Sequence, residues 1–88
     1  MSIKPMSVEQ LAAFLQERGA DPARIKSLEA PIVEESRKYL QSTGQKTDPE
    51  SVAQAATVGR AVVADKLKDV DMHGMPEEEI KKILGFSN

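Results

Sequence analysis

Eighty-eight residues, 40% hydrophobic and 30% charged, suit one small globular domain, and a chain of this length has room for a single core. Fourteen acidic and 12 basic side chains leave a net charge of −2 with no basic block, which argues against the concentrated positive face of a nucleic-acid footprint. There is no cysteine, so disulfides, zinc-thiolate sites and thiol catalysis are excluded. The opening MSIKPMSVEQ lacks the apolar run of a signal peptide, and no stretch of about 18 apolar residues could span a bilayer. A soluble, cytoplasmic protein is expected.

Ser7 and Gln10 have the spacing of a capping box, with Met6 and Leu11 placed for a hydrophobic staple. Val8, Leu11, Ala12 and Leu15 recur at helical spacing and Gly19 supplies a left-handed end, predicting a first helix over residues 8–18. Asp21-Pro22 is the next start signal, an aspartate cap followed by a proline whose missing N–H would be unpaired anyway. The second helix is predicted over 22–42, carrying Ile25, Leu28, Ile32, Val33, Tyr39 and Leu40. It is expected to break near Pro31, because proline cannot donate to the preceding turn and disfavours helix at Ala30. Glu34 and Lys38 have the i,i+4 spacing of an exposed ion pair. The polar stretch QSTGQKT, residues 41–47, reads as a linker.

Asp48-Pro49 repeats the start signal and opens a third helix, predicted over 49–69. Pro76 opens a fourth over 76–84, with Glu77, Glu78 and Glu79 at the positive end of the helix dipole and Lys81 and Lys82 near the other end. Gly85 ends it, and Phe86 is placed to fold back on Ile80. No segment alternates with period two. The expected fold is all-α, one domain over 1–88, a bundle of about four helices expected to be oligomeric.

The third helix, SVAQAATVGRAVVADKL, is built of small apolar residues. At about 100° per residue, Val52, Ala55, Ala56, Gly59, Val62, Val63 and Leu67 share an arc of roughly 140°, opposite Gln54, Thr57, Asp65 and Lys68. Ala55 and Gly59, one turn apart, lower the middle of this stripe, so another helix can approach more closely than the usual axial separation of about 8–10 Å. That neighbour is either the chain's own first or second helix, or a helix of a second copy or another protein. Val52, Ala55, Ala56, Gly59, Val62 and Val63 are therefore the candidate partner or oligomer interface. Ile80, Ile83, Leu84 and Phe86 form a second candidate apolar contact, and Arg60, at the flank of the stripe, and Tyr39 are candidate rim or ligand contacts.

Chemistry-bearing patterns are sparse. Asp69, Asp71 and His73 alternate in DVDMHGM without the further ligands of a zinc or calcium site, and read as a solvated turn with Met72 and Met75 tucked inward. The G-x-S-x-G signature is absent, and the glycines at 19, 44, 59, 74 and 85 never cluster as a phosphate loop would require. No catalytic residue, metal ligand or cofactor is assigned, and no enzyme is expected. The leading expectation is a small helical protein that binds another protein or a second copy of itself, as an accessory regulator, inhibitor or assembly factor. The alternative is a small-ligand-binding or sequestering protein with a pocket between copies lined by Arg60 and Tyr39. The terminal EEEIKKILGFSN resembles the first helix and turn of a helix-turn-helix unit over about a dozen residues, which implies a nucleic-acid-associated regulator as a third, weaker expectation.

Overall fold

Local capping places the first two helices where the sequence marks them. In a computed structural model describing residues 4–86, Ser7 Oγ accepts from the Gln10 N–H (3.1 Å) and Gln10 Oε1 accepts from the Ser7 N–H (2.9 Å). These paired bonds are the capping box of α1 (Val8–Glu17), which ends one residue earlier than predicted. Gly19, at φ 97°, turns the chain so that its N–H reaches Gln16 O (3.1 Å) and the Ala20 N–H reaches Leu15 O (3.1 Å). A side chain at Gly19 would also collide with the His73 ring that lies against it. Asp21 then caps α2 (Pro22–Ser42), its carboxylate accepting from the Arg24 N–H (2.7 Å).

Helix α2 runs unbroken through Pro31, which corrects the expected break. An interior proline costs about 3 kcal/mol, whereas burying a leucine or isoleucine side chain contributes about 1.5–3 kcal/mol each. Leu28 and Ile32, which flank Pro31 on one face, are 0% and 1% exposed, so their burial offsets the lost hydrogen bond. Charged neighbours also pair differently from expectation. Glu34 takes Arg37, and Lys38 reaches Glu35 (3.9 Å).

The link 43–48 spans at most about 20 Å and α2 is about 31 Å long, so α3 (Pro49–Leu67) must return antiparallel to α2. Asp48 precedes it, but its carboxylate accepts from the Ser51 hydroxyl (2.7 Å) rather than from a backbone N–H. Helix α3 stops two residues before the predicted end, where Val70 N–H turns back to Leu67 O (3.0 Å) and Arg18 Nε donates to Lys68 O (2.9 Å). The Arg18 guanidinium lies 3.5 Å from the centre of the Phe14 ring, and Arg18 O accepts from the Met72 N–H (2.8 Å). The end of α1 and the α3–α4 connection are thereby latched together, with Met72 buried and Met75 partly so.

Helix α4 (Glu77–Leu84) starts one residue later than predicted, Pro76 serving as its cap, and carries a Glu77–Lys81 pair (3.8 Å). Its end is the expected fold-back. Gly85 has φ 76°, its N–H reaches Lys82 O (3.1 Å), and the Phe86 N–H reaches Lys81 O (3.0 Å) while the ring packs on the core that contains Ile80. Helix α3 is central, touching α1, α2 and α4. Leu15, Leu28, Ile32, Leu67 and Ile80 are wholly enclosed around it. The described residues form a four-helix, all-α fold, and none of its helices is long and apolar enough to cross a membrane.

Candidate functional site

The shallow middle of α3 meets the chain's own second helix. A Cβ on Gly59 would stand 3.1 Å from Ser36 Oγ and 3.3 Å from Ile32 Cγ2, closer than ordinary van der Waals contact, so these side chains of α2 close directly onto the glycine. Ser36 is buried there and donates to Ile32 O (2.8 Å), which satisfies its hydroxyl without a partner on α3. Gly59→Leu is expected to crowd Ile32 and Ser36 and cost about 1–3 kcal/mol, while Gly59→Ala should be nearly neutral because its helix-propensity gain of about 0.5–1 kcal/mol opposes a small crowding cost. Urea unfolding followed by circular dichroism checks both; an unchanged midpoint for the leucine variant would contradict the close approach.

Beside this contact opens a groove of about 510 Å³. Helix α2 contributes Ile32, Glu35, Ser36 and Tyr39, and α3 contributes Ala55, Val58, Gly59, Val62, Val63 and Lys66. Leu84 and Phe86, at the end of α4, complete it. Of the polar side chains of the groove, Ser36, Lys66 and Glu35 are engaged within the chain. Lys66 Nζ donates to Leu84 O (3.1 Å), capping α4, and Glu35 lies beside Lys38. Among the described residues no buried side-chain nitrogen or oxygen lacks a hydrogen bond. The groove therefore presents apolar area and shape, with charge only at its rim.

The residues singled out from the sequence separate into two groups. Ala56 and Val63 are buried in the chain's own core, as are Ile80 and Leu84. Val52, Ala55, Gly59 and Val62 are partly exposed, the last three lining the groove together with the inner edge of Val63. Tyr39, 61% exposed, stands on the rim; Ile83 is exposed on α4, and Phe86 forms part of the wall. Val58, 43% exposed, is a groove residue that the helical wheel left out.

Arg60 is the main correction. It is 8% exposed and absent from the groove, its Nε 3.0 Å from Glu29 Oε1 on α2 and its Nη1 3.4 Å from Met6 O. With Met6 N–H donating to Thr57 O (3.0 Å), this ties Met6 to α3. The buried face of α3 is centred on Ala56, Arg60, Ala64 and Leu67, roughly 90° around the helix from the stripe drawn on the wheel. A wheel of apolar residues leaves a guanidinium at the flank of the stripe, whereas a partly buried carboxylate draws it inward here. A signal existed: Glu29 sits between Ile25 and Ile32 at i,i+4,i+7 spacing, an acid on the core stripe of α2 that calls for a buried base.

The alternating Asp69, Asp71 and His73 do not converge as ligands. Asp71 accepts from the His73 backbone N–H (3.1 Å) and lies 2.7 Å from its Nδ1, contacts that hold its carboxyl below the usual range, the backbone N–H contributing most. Among the described residues no three His, Asp or Glu side chains are grouped to hold a metal ion. The helix and turn of the helix-turn-helix resemblance correspond to α4 and Gly85, while residues 87 and 88 of that stretch lie outside the described residues. No family model, curated protein or solved structure matches the chain.

Proposed function

We propose that this chain is a non-enzymatic protein that acts by binding another polypeptide, of the accessory regulator, inhibitor or assembly-factor kind. The observation that carries this reading is the open groove between α2, α3 and the end of α4, whose lining is largely apolar and whose Ser36, Glu35 and Lys66 are engaged within the chain. Small-molecule sites add a few aimed polar groups to an apolar lining, and those fix orientation. A groove that offers apolar area without such groups favours an apolar protein face, as in helix-in-groove recognition. Its α3 wall, from Ala55 to Lys66, runs about 16 Å, three helical turns. The groove volume also falls in the range of about 300–1,000 Å³ typical of ligand sites, so an apolar small molecule held within one copy is the second reading.

A photo-crosslinking amino acid at Val58, on the groove wall, is expected to trap a discrete polypeptide in cells, whereas the same group at Gln16, on the exposed face of α1, is not. Ala55→Asp, which sets a carboxylate into the apolar wall, should weaken that capture at least about tenfold. Equal trapping from both positions, or indifference to Ala55→Asp in a variant that melts normally, would overturn the polypeptide reading.

A further inference from the structure

Resting on the polypeptide-binding reading, we infer that the groove is filled by a second copy of this chain, the two α3 helices meeting antiparallel about a twofold axis, with Glu35 of each copy against Lys66 of the other. The groove rim carries two charged side chains of opposite sign, Glu35 beside Lys38 and Lys66 on the Leu84 carbonyl, each with hydrogen-bonding capacity left for a further partner. Glu35 neighbours Ser36, which touches Gly59, so the acid stands level with the middle of α3. Lys66 lies seven residues beyond Gly59, about 10 Å further along the helix. A twofold axis passing between these two levels, near Val62, carries acid onto base at both ends of the contact, the self-complementarity that an isologous interface requires.

The apolar groups follow the same pattern. Tyr39, the most exposed large hydrophobic side chain among the described residues, stands at the Ala55 end of the groove, and Phe86 stands with Leu84 at the Lys66 end. The same rotation brings Tyr39 of one copy onto Phe86 of the other. Val58 and Val62, left open on the single chain, are covered in the centre. An 88-residue chain buries only about two-thirds of the surface of its unfolded form, so a second copy adds to a small core.

Sedimentation equilibrium at low salt tests the pairing. The wild-type chain is expected to sediment at twice its 9.6 kDa mass at micromolar concentration. Glu35→Lys and Lys66→Glu each set like charges together at both contacts, and each should weaken the dimer about tenfold. An equimolar mixture of the two variants places opposite charges at both contacts of the mixed dimer and should regain wild-type affinity, which a structural effect within one chain cannot do. Circular dichroism melts of each variant establish that it is folded, and Val58→Asp, which breaks the centre of the contact, should give a folded monomer. A wild-type chain that stays monomeric up to hundreds of micromolar, or a mixture no tighter than either variant alone, overturns the inference. If Val58 then still traps a different polypeptide, the dimer fails and the polypeptide reading stands; if neither is seen, both fail.

Discussion

Leu67→Ala is expected to destabilise the protein by about 3–5 kcal/mol and lower its melting temperature by more than about 12 °C. Leu67 is fully enclosed, and its helix is the element that α1, α2 and α4 all touch. Truncation removes about three carbons from the core, worth about 0.8 kcal/mol each in transfer alone. The enclosing helices cannot all close on the space left, so a cavity cost adds to that loss. A domain of this size has a total stability of about 4–13 kcal/mol, so roughly a quarter or more is at stake. Leu67→Met, which nearly conserves volume, should cost less than about 1.5 kcal/mol. Urea unfolding by circular dichroism distinguishes the two. A loss below about 1 kcal/mol for the alanine variant would mean that α3 is not the centre of the core.

The second large effect concerns Arg60. Removing one member of a buried ion pair costs about 3–5 kcal/mol, chiefly because the other is left unpaired. The Glu29 side chain is 27% exposed and can recover some water, so Arg60→Ala is expected to cost about 2–3 kcal/mol. Glu29→Leu combined with Arg60→Met should bring stability back to within about 1 kcal/mol of the wild type, since replacing both partners by apolar groups leaves no stranded charge. The double-mutant cycle then isolates the coupling between them. A second readout is local. Arg60 also donates to Met6 O, so exchange of the Met6 amide, which donates to Thr57 O, should quicken in Arg60→Ala beyond what the global loss of stability explains. Additive single and double variants would show that the pair contributes nothing as a pair.

Much of the fold was legible in the chain because it rests on contacts between residues three or four apart. The Ser7–Gln10 box, the Asp21 cap and the fold-back at Gly85 all formed at the expected residues. The Asp48 start signal worked through Pro49 alone, its carboxylate having turned to the neighbouring Ser51. The candidate site was legible only in part. Ala55, Gly59 and Val62 belong to the groove, but its other walls come from Ile32, Glu35 and Tyr39 on α2 and from Phe86 beyond α4, which no single helical wheel can assemble.

By itself the sequence determined four helices, their ends to within two residues, the all-α class and the exclusion of thiol chemistry, since caps, proline, glycine and periodicity act within a turn or two of chain. The tertiary structure alone decided that Pro31 stays inside a helix, that α3 turns Arg60 inward and Val58 outward, and that Gly59 meets Ile32 and Ser36. Each of those outcomes depends on groups distant in the chain: the core around Leu28 and Ile32, and a carboxylate 31 residues from Arg60. A buried charge is disfavoured until its partner is in place, and only the packing of α2 on α3 puts Glu29 there.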